Sequence, residues 1–386
     1  MNKSKIFDKF IILFLIFSPL LDLLAYFQDT YFKIPVSISY IVRGIFLLII
    51  FIYLLRKQDN RKLLIVFLIY FILALSSYFM RKLNIFTEVV NLLKIFYLPV
   101  LMLFFSKYNN EKINDKFILK IYGIYILTFV VMYIFKIDRF YLNTIGVILV
   151  GLLPIVLNYV LESKSYILKI GFIIIYSLCI YLISTKLIVI GSFIVILISL
   201  FSRYKYEILY NDFKDKFKYI LLVVVFVALY ILFIRFTPFY SSIKQDVLAL
   251  NIHSFKDIYR FRTIDKIVFS GGISRIDTTM GPLLKNGYDT IMYGLGKTGL
   301  GDYTRIDIFD IFATTGLFGG IIFIIMFSFV HRKTELKKIY YFSYLVFIIV
   351  SIFAGSVLIY PSISLLLSTL YIISANSKEE VKKKYS

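Results

Sequence analysis

The chain has 386 residues, 60% of them hydrophobic, with a formal net charge of +21. A soluble domain is about half apolar, so this excess, with a mean hydropathy of +0.85, excludes an ordinary water-soluble fold. The positive charge sits in short joints between apolar runs, which points to membrane topology and anionic lipid and excludes a nucleic-acid footprint.

Crossing about 30 Å of hydrocarbon takes about 20 apolar residues. In chain order such runs fall at 10–27, 38–55, 63–79, 87–105, 117–135, 144–160, 167–183, 187–201 and 219–236. Three more follow at 307–330, 340–357 and 359–374. The pairs within 167–201 and 340–374 have tight joints, so about 12 transmembrane helices are expected, with 11 as the lower count. No small-residue cleavage site follows the first run, so no cleaved leader is expected. Lone Cys179 lies inside a span and reads as a small buried core residue. With no Trp in the chain, Tyr and Phe must supply the interfacial belt.

Lys and Arg in the short joints set the orientation. One set holds Lys3, Lys5, Lys9, Arg56, Lys57, Arg61, Lys62, Lys107, Lys112, Lys116 and the cations from Arg203 to Lys218. It continues with Arg332, Lys333, Lys337, Lys338 and Lys382 to Lys384, while the alternate set holds only Lys33, Arg81, Lys82, Lys136, Arg139 and Lys186. Both termini are therefore expected in the cytoplasm. The chain divides into nine spans over 1–236, a large extracellular loop over 237–306, three spans over 307–374 and a basic cytoplasmic tail over 375–386. The expected class is an all-α integral membrane protein whose one large loop contains short helices.

Ionisable groups inside a bilayer are costly, so each one within a span is a functional candidate. At 1.5 Å per residue, Asp22 lies about 18 Å up the first span and Arg43 about 9 Å below the outer end of the second. Their matched depth lets them pair. Glu88, Asn91 and Lys94 enter the fourth span at three-residue steps, on one helical face. Asn143 opens the sixth span, Lys186 follows the seventh, Arg235 closes the ninth, and Asp307 and Asp310 open the tenth. All of these fall in the outer half. That asymmetry favours a site at the outer leaflet over a conduit, because a transporter places polar groups near the midplane on broken helices of two matched halves. No internal repeat and no matched broken helices are expected here.

The loop begins with an amphipathic stretch in which Phe255, Ile258, Phe261, Ile264 and Val268 alternate with Lys256, Arg260 and Lys266. Such a helix would lie flat at the interface with its cations toward phosphates. His253 precedes it as a candidate base and Arg262 lies within it. Ser270-Gly271-Gly272-Ile273-Ser274-Arg275 opens a short segment that Gly281-Pro282 breaks. Gly296-Lys297-Thr298 invites a phosphate-loop reading, which fails because Ile291 stands where the first glycine belongs and no strand precedes it. The glycines suit a tight turn or close backbone approach instead. Asp307 and Asp310 share a face and also suit a helix N-terminus, where the dipole stabilises carboxylates. No metal-ligand spacing and no catalytic triad is visible.

Together these elements resemble the O-antigen polymerase/ligase superfamily, most nearly the Wzy-like repeat-unit polymerases of Gram-positive bacteria. The likeness lies in the Arg275 element, the Gly-rich turn, and Ile306-Asp307-Ile308-Phe309-Asp310-Ile311-Phe312 leading to Gly316 and Gly319-Gly320. Ser18-Pro19-Leu20-Leu21-Asp22, Val42-Arg43-Gly44, Lys94 to Pro99, Ser184-Thr185-Lys186 and Gly355-Ser356-Val357-Leu358 agree with it. The chain departs from the pattern at Arg305, where an acidic residue or His is usual, at Ser356, where His is usual, and at Asn143-Thr144, where Asn-Glu is usual.

The resemblance implies a GT-C-like, metal- and cofactor-independent glycosyltransferase for capsule or exopolysaccharide. It would join oligosaccharide repeat units carried on undecaprenyl pyrophosphate at the outer face, beside a flippase and a chain-length regulator of the same pathway. Arg275, with Arg262, Arg260, Arg235, Lys94, Lys186 or Arg43, would hold the anionic leaving group. Asp307, rather than Asp310 or His253, would take the proton from the attacking sugar hydroxyl, and Glu88 and Asp22 would complete the polar lining. A ligase acting on finished lipid-linked glycan, a flippase and a non-enzymatic scaffold are the alternatives.

Overall fold

With no water in hydrocarbon, an apolar run satisfies its backbone only by closing its own hydrogen bonds, and the long runs accordingly become helices. The computed structural model describes residues 3–32, 37–56, 61–108, 110–135, 139–183, 186–210, 213–249, 272–285, 287–300, 306–333, 338–354 and 358–385. Among them every regular element is helical. The first nine are α1 Lys3–Phe27, passing into one π turn at Gln28–Phe32, α2 Ile38–Arg56, α3 Arg61–Met80, α4 Ile85–Phe105, α5 Asp115–Ile134, α6 Arg139–Glu162, α7 Tyr166–Ile183, α8 Lys186–Tyr210 and α9 Phe213–Arg235. Shorter pieces follow: α10 Pro238–Ala249, α11 Gly272–Lys285, α12 Tyr288–Tyr293 and α13 Gly296–Leu300. The chain closes with α14 Asp307–Lys333, α15 Lys338–Ala354 and α16 Pro361–Tyr385.

Seven helices (α1 to α6 and α14) are long and apolar enough to cross a membrane, and the apolar stretches of α7, α8, α9, α15 and α16 are shorter, within 10–17 residues. The helices are inside-out amphipathic. α1 turns Leu13, Phe17, Leu20 and Leu24 outward and buries Ser18 and Asp22, while α2 exposes Ile41, Ile45 and Leu48 and buries Arg43. An exterior of that kind suits hydrocarbon. α4 and α16 form the centre: Ile95 to Phe105 and Pro361 to Ser374 are buried without interruption.

One expectation is corrected and two features are added. α16 runs on as helix through the charged residues of the expected tail to Tyr385, since Lys and Glu are good helix formers. The Gly281-Pro282 break does not occur: Pro282 stands inside α11, three residues before its end, where it forgoes the one hydrogen bond its N–H would give to residue 278. The span expected at 307–330 is present as Asp307–Val330 and carries an internal break, because Gly316 in α14 has φ 70° and ψ −173°.

The break is held by the loop segment. Gly316 packs against the backbone of Met292 and Gly294, and Gly294 in turn against that of Thr314, leaving no space for a Cβ on either. An unbroken helix would offer the carbonyls of Ala313, Thr314 and Thr315 to the amides of residues 317–319. Here Leu295 N–H donates to Ala313 O at 2.7 Å, and Tyr70 Oη donates to Thr315 O at 2.8 Å. Tyr78 Oη lies 2.8 Å from both the Thr314 and Tyr293 carbonyls and shares its proton between them.

Candidate functional site

The polar residues of the helices gather where α1 ends and α2, α4, α14 and α16 begin, the loop end of the bundle. The deepest unit is a closed ring. Arg43 Nη2 donates to Asp22 Oδ1 at 2.6 Å and to Ser362 Oγ at 2.7 Å, and Ser362 Oγ donates to the same Asp22 oxygen at 2.7 Å. Ser18 O lies 3.3 Å from Nη2. All three side chains of the ring are buried. Pairing removes much of the penalty of holding charge away from water, whereas deleting one partner of such a pair costs about 3–5 kcal/mol. Arg43 Nε and Tyr97 Oη are buried with no hydrogen-bond partner among the described residues, so the ring retains donor capacity for an acceptor-rich guest or ordered water.

Ser362 opens α16, and the turn before it reaches Asp307. Leu358 N–H donates to Asp307 Oδ2 at 2.7 Å. Ser364 Oγ donates back to Leu358 O at 2.8 Å, and Tyr360 Oη donates to Tyr26 Oη at 3.1 Å. The segment 358–362 is thus fastened to the carboxylate of α14 at one end and to the ion pair of α1 and α2 at the other. Asp307 and Asp310 are both fully buried in the first turn of α14.

A third contact fixes the loop to α4. The buried Glu88 carboxylate accepts from Lys297 N at 2.7 Å, Thr298 N at 2.8 Å and Thr298 Oγ1 at 2.6 Å. Gly296 has φ +70° and approaches so closely that a Cβ would lie 2.6 Å from Glu88 Oε2. The Lys297 and Thr298 amides therefore cradle an internal carboxylate, the same anion-to-amide chemistry that a phosphate loop uses. Alongside, Arg81 Nη1 lies 3.4 Å from Thr290 Oγ1. Partial burial pulls the Arg81 guanidinium below its ordinary pKa, against the opposing fields of Tyr78, Asp289 and Glu88.

Lys94 stands one turn further along α4 than Asn91, with Nζ 3.8 Å above the ring of Tyr40, a cation–π contact. Tyr97 follows at the next three-residue step and faces the Arg43–Asp22 ring. At three-residue steps Glu88, Asn91, Lys94 and Tyr97 wind half-way round α4 as they descend about 14 Å into the bundle.

Asp22, Arg43, Glu88, Lys94, Asp307 and Asp310 therefore share one end of the helices. Arg235 does not join them: it is exposed at the end of α9, a helix packed mainly on α8 and α10. Lys186 begins α8 and Arg275 lies in α11, with side chains outside the described set. His253, Arg260 and Arg262 lie outside the described residues altogether. Sequence reasoning missed Ser362, Tyr97 and the Leu358 amide. Only Tyr97 carried a signal, as the next step of the 88–91–94 spacing. Among the described residues no group of three or more His, Cys, Asp or Glu that could hold a metal ion comes together.

Fold and site together define an all-helical chain with helices suited to a membrane and a buried charged cluster at one end. Comparison with known protein families, with curated proteins and with solved structures finds no match to this chain.

Proposed function

We propose that the chain is a GT-C-like integral membrane glycosyltransferase with about 12 spans. It would polymerise oligosaccharide repeat units carried on undecaprenyl pyrophosphate at the outer face of the cytoplasmic membrane. The seven long helices and the five shorter ones support that span count, and the Lys and Arg bias of the joints supports an outward loop. The observation that carries the reading is the placement of Asp307, a buried carboxylate at the start of α14, on the same 358–362 turn that holds a buried guanidinium at its other end.

In this reading the hydroxyl of an acceptor sugar attacks the anomeric carbon of the lipid-linked donor. The carbon–oxygen bond to pyrophosphate breaks, and the bonding pair leaves with the phosphate. The hydroxyl proton passes to Asp307, and the anomeric centre inverts. Pyrophosphate is already a stable anion and needs no general acid. Cations of the loop, Arg275 first, with Lys94 and Arg43 behind them, would stabilise the charge that grows on it. A shallow apolar hollow of about 350 Å³ between α3 and α4, lined by Leu75, Ser76, Phe79, Met80 and Ile85, suits part of an isoprenoid chain.

The break in α14 favours a second reading, a flippase for the same lipid-linked saccharide, since broken helices line transport sites. Mass spectrometry of undecaprenyl-linked saccharides from a strain lacking the protein separates the two. Single repeat units accumulating on the outer leaflet support polymerase, and units trapped inside support flippase. Full-length chains stranded on lipid indicate a ligase, and an unchanged pool refutes the glycan reading. Arg275→Ala and Asp307→Asn proteins are expected to insert normally and make no polymer.

A further inference from the structure

The ion pair of α1 and α2 and Asp307 of α14 are both hydrogen-bonded to the turn that opens α16. Arg43 and Asp22 both bond Ser362 Oγ, at 2.7 Å each, and so fix the first turn of α16. Four residues earlier, Leu358 places its N–H on Asp307 Oδ2 at 2.7 Å. Between these two anchors the turn is stiffened by Ser364 Oγ on Leu358 O, by Ser364 N on Tyr360 O at 2.9 Å, and by Tyr360 against Tyr26. Proline at 361 limits the backbone further. Little slack remains between residues 358 and 362.

We propose that Asp22, Arg43 and Ser362 are positioning residues for Asp307. The closed ring holds the 358–362 turn in register, and the turn holds the Asp307 carboxylate in one orientation through the Leu358 amide. The ring then acts mechanically rather than as part of the substrate lining. In the polymerase reading, on which only the activity part of this inference rests, it sets the direction from which the carboxylate meets the sugar hydroxyl.

A probe of Asp307 itself tests the link without any substrate. Full-length protein in membrane vesicles is treated with the hydrophobic carboxyl reagent N,N′-dicyclohexylcarbodiimide. Modification of Asp307 is followed by peptide mass spectrometry, with Asp310 as internal standard. Ser362→Ala removes the shared hydroxyl and Asp22→Asn weakens the ring at constant volume, so one variant serves if the other fails to fold. The control is Ser368→Ala, in the same helix and equally buried, whose hydroxyl bonds only back to Ser364 O at 2.7 Å. Asp307 is expected to react about three- to tenfold faster in Ser362→Ala and Asp22→Asn, the equivalent of one lost hydrogen bond, and at the parent rate in Ser368→Ala.

With undecaprenyl-linked repeat units isolated from the deletion strain, Ser362→Ala is expected to lower kcat by about ten- to a hundredfold while leaving KM nearly unchanged, as misplacement of a reacting group does. Equal labelling of Asp307 in all four proteins would overturn the positioning inference whatever happens to the polymer. Faster labelling of Asp307 in Ser362→Ala and Asp22→Asn, together with polymer still made by the Asp307→Asn protein, would uphold the link and remove Asp307 from the chemistry.

Discussion

Replacing Glu88 with Ala isolates what fastens the loop to the helices. The carboxylate accepts three hydrogen bonds from Lys297 and Thr298, all between 2.6 and 2.8 Å. A bond to a charged acceptor contributes about 1.5–3 kcal/mol each. Lys297 is half-buried and Thr298 exposed, so water replaces part of the loss, and the net local destabilisation is about 2–4 kcal/mol. At 1.4 kcal/mol per decade, the Lys297 and Thr298 amides should exchange hydrogen roughly thirty- to sevenhundredfold faster. Hydrogen–deuterium exchange mass spectrometry of the detergent-solubilised protein reads this in peptides covering 294–300, while peptides from α4 and α16 stay protected. Glu88→Gln, which keeps one acceptor oxygen without the charge, should fall between. Unchanged exchange over 294–300 in an otherwise intact Glu88→Ala protein would refute the view that this carboxylate holds the loop.

Gly316→Ala forces a side chain into a backbone geometry that is almost exclusive to glycine and against Met292 and Gly294. It should cost more than about 3 kcal/mol, seen as a clear drop in thermal midpoint by size-exclusion chromatography. Arg43→Ala should destabilise by about 3–5 kcal/mol because Asp22 stays buried and unpaired. The Arg43→Met, Asp22→Leu double variant should recover much of that, and an additive double variant would contradict the pairing. Tyr78→Phe removes the shared proton at the α14 break and should lower stability by about 1–3 kcal/mol in the same assay. In a Cys179→Ser background, Tyr288→Cys, at a position 84% exposed, should react with an impermeant maleimide on intact cells, whereas Lys112→Cys should need permeabilisation. The reverse pattern would invert the proposed orientation.

The helices were legible because lipid imposes a crude, local rule: long apolar runs separated by cationic joints. The bounds expected for the second and fourth runs, 38–55 and 87–105, differ little from Ile38–Arg56 and Ile85–Phe105. The Asp22–Arg43 pair was legible for a related reason, since two costly charges at one depth have few ways to be tolerated apart from each other. Ser362 was not, because a serine in an apolar helix is unremarkable until the fold brings it across from residue 43. The break at Gly316 left no mark on hydropathy. Its caps, Tyr70 and Tyr78, are two of 32 tyrosines in the chain, and only the tertiary structure singles them out. Glu88 stood out as polar, but its partners lie about 210 residues further on, in a segment whose glycines hinted at close approach without saying to what.

The ring around Arg43 also has a history within each molecule. Asp22 and Arg43 leave the ribosome among the first residues of the chain, whereas Ser362 follows more than three hundred positions later. Through most of synthesis the guanidinium therefore lacks one of its acceptors, and α4, already made, has no α16 to cover it. The ring is completed only as α16 takes its place in the centre. A chain stopped before that point keeps its buried guanidinium with one acceptor fewer.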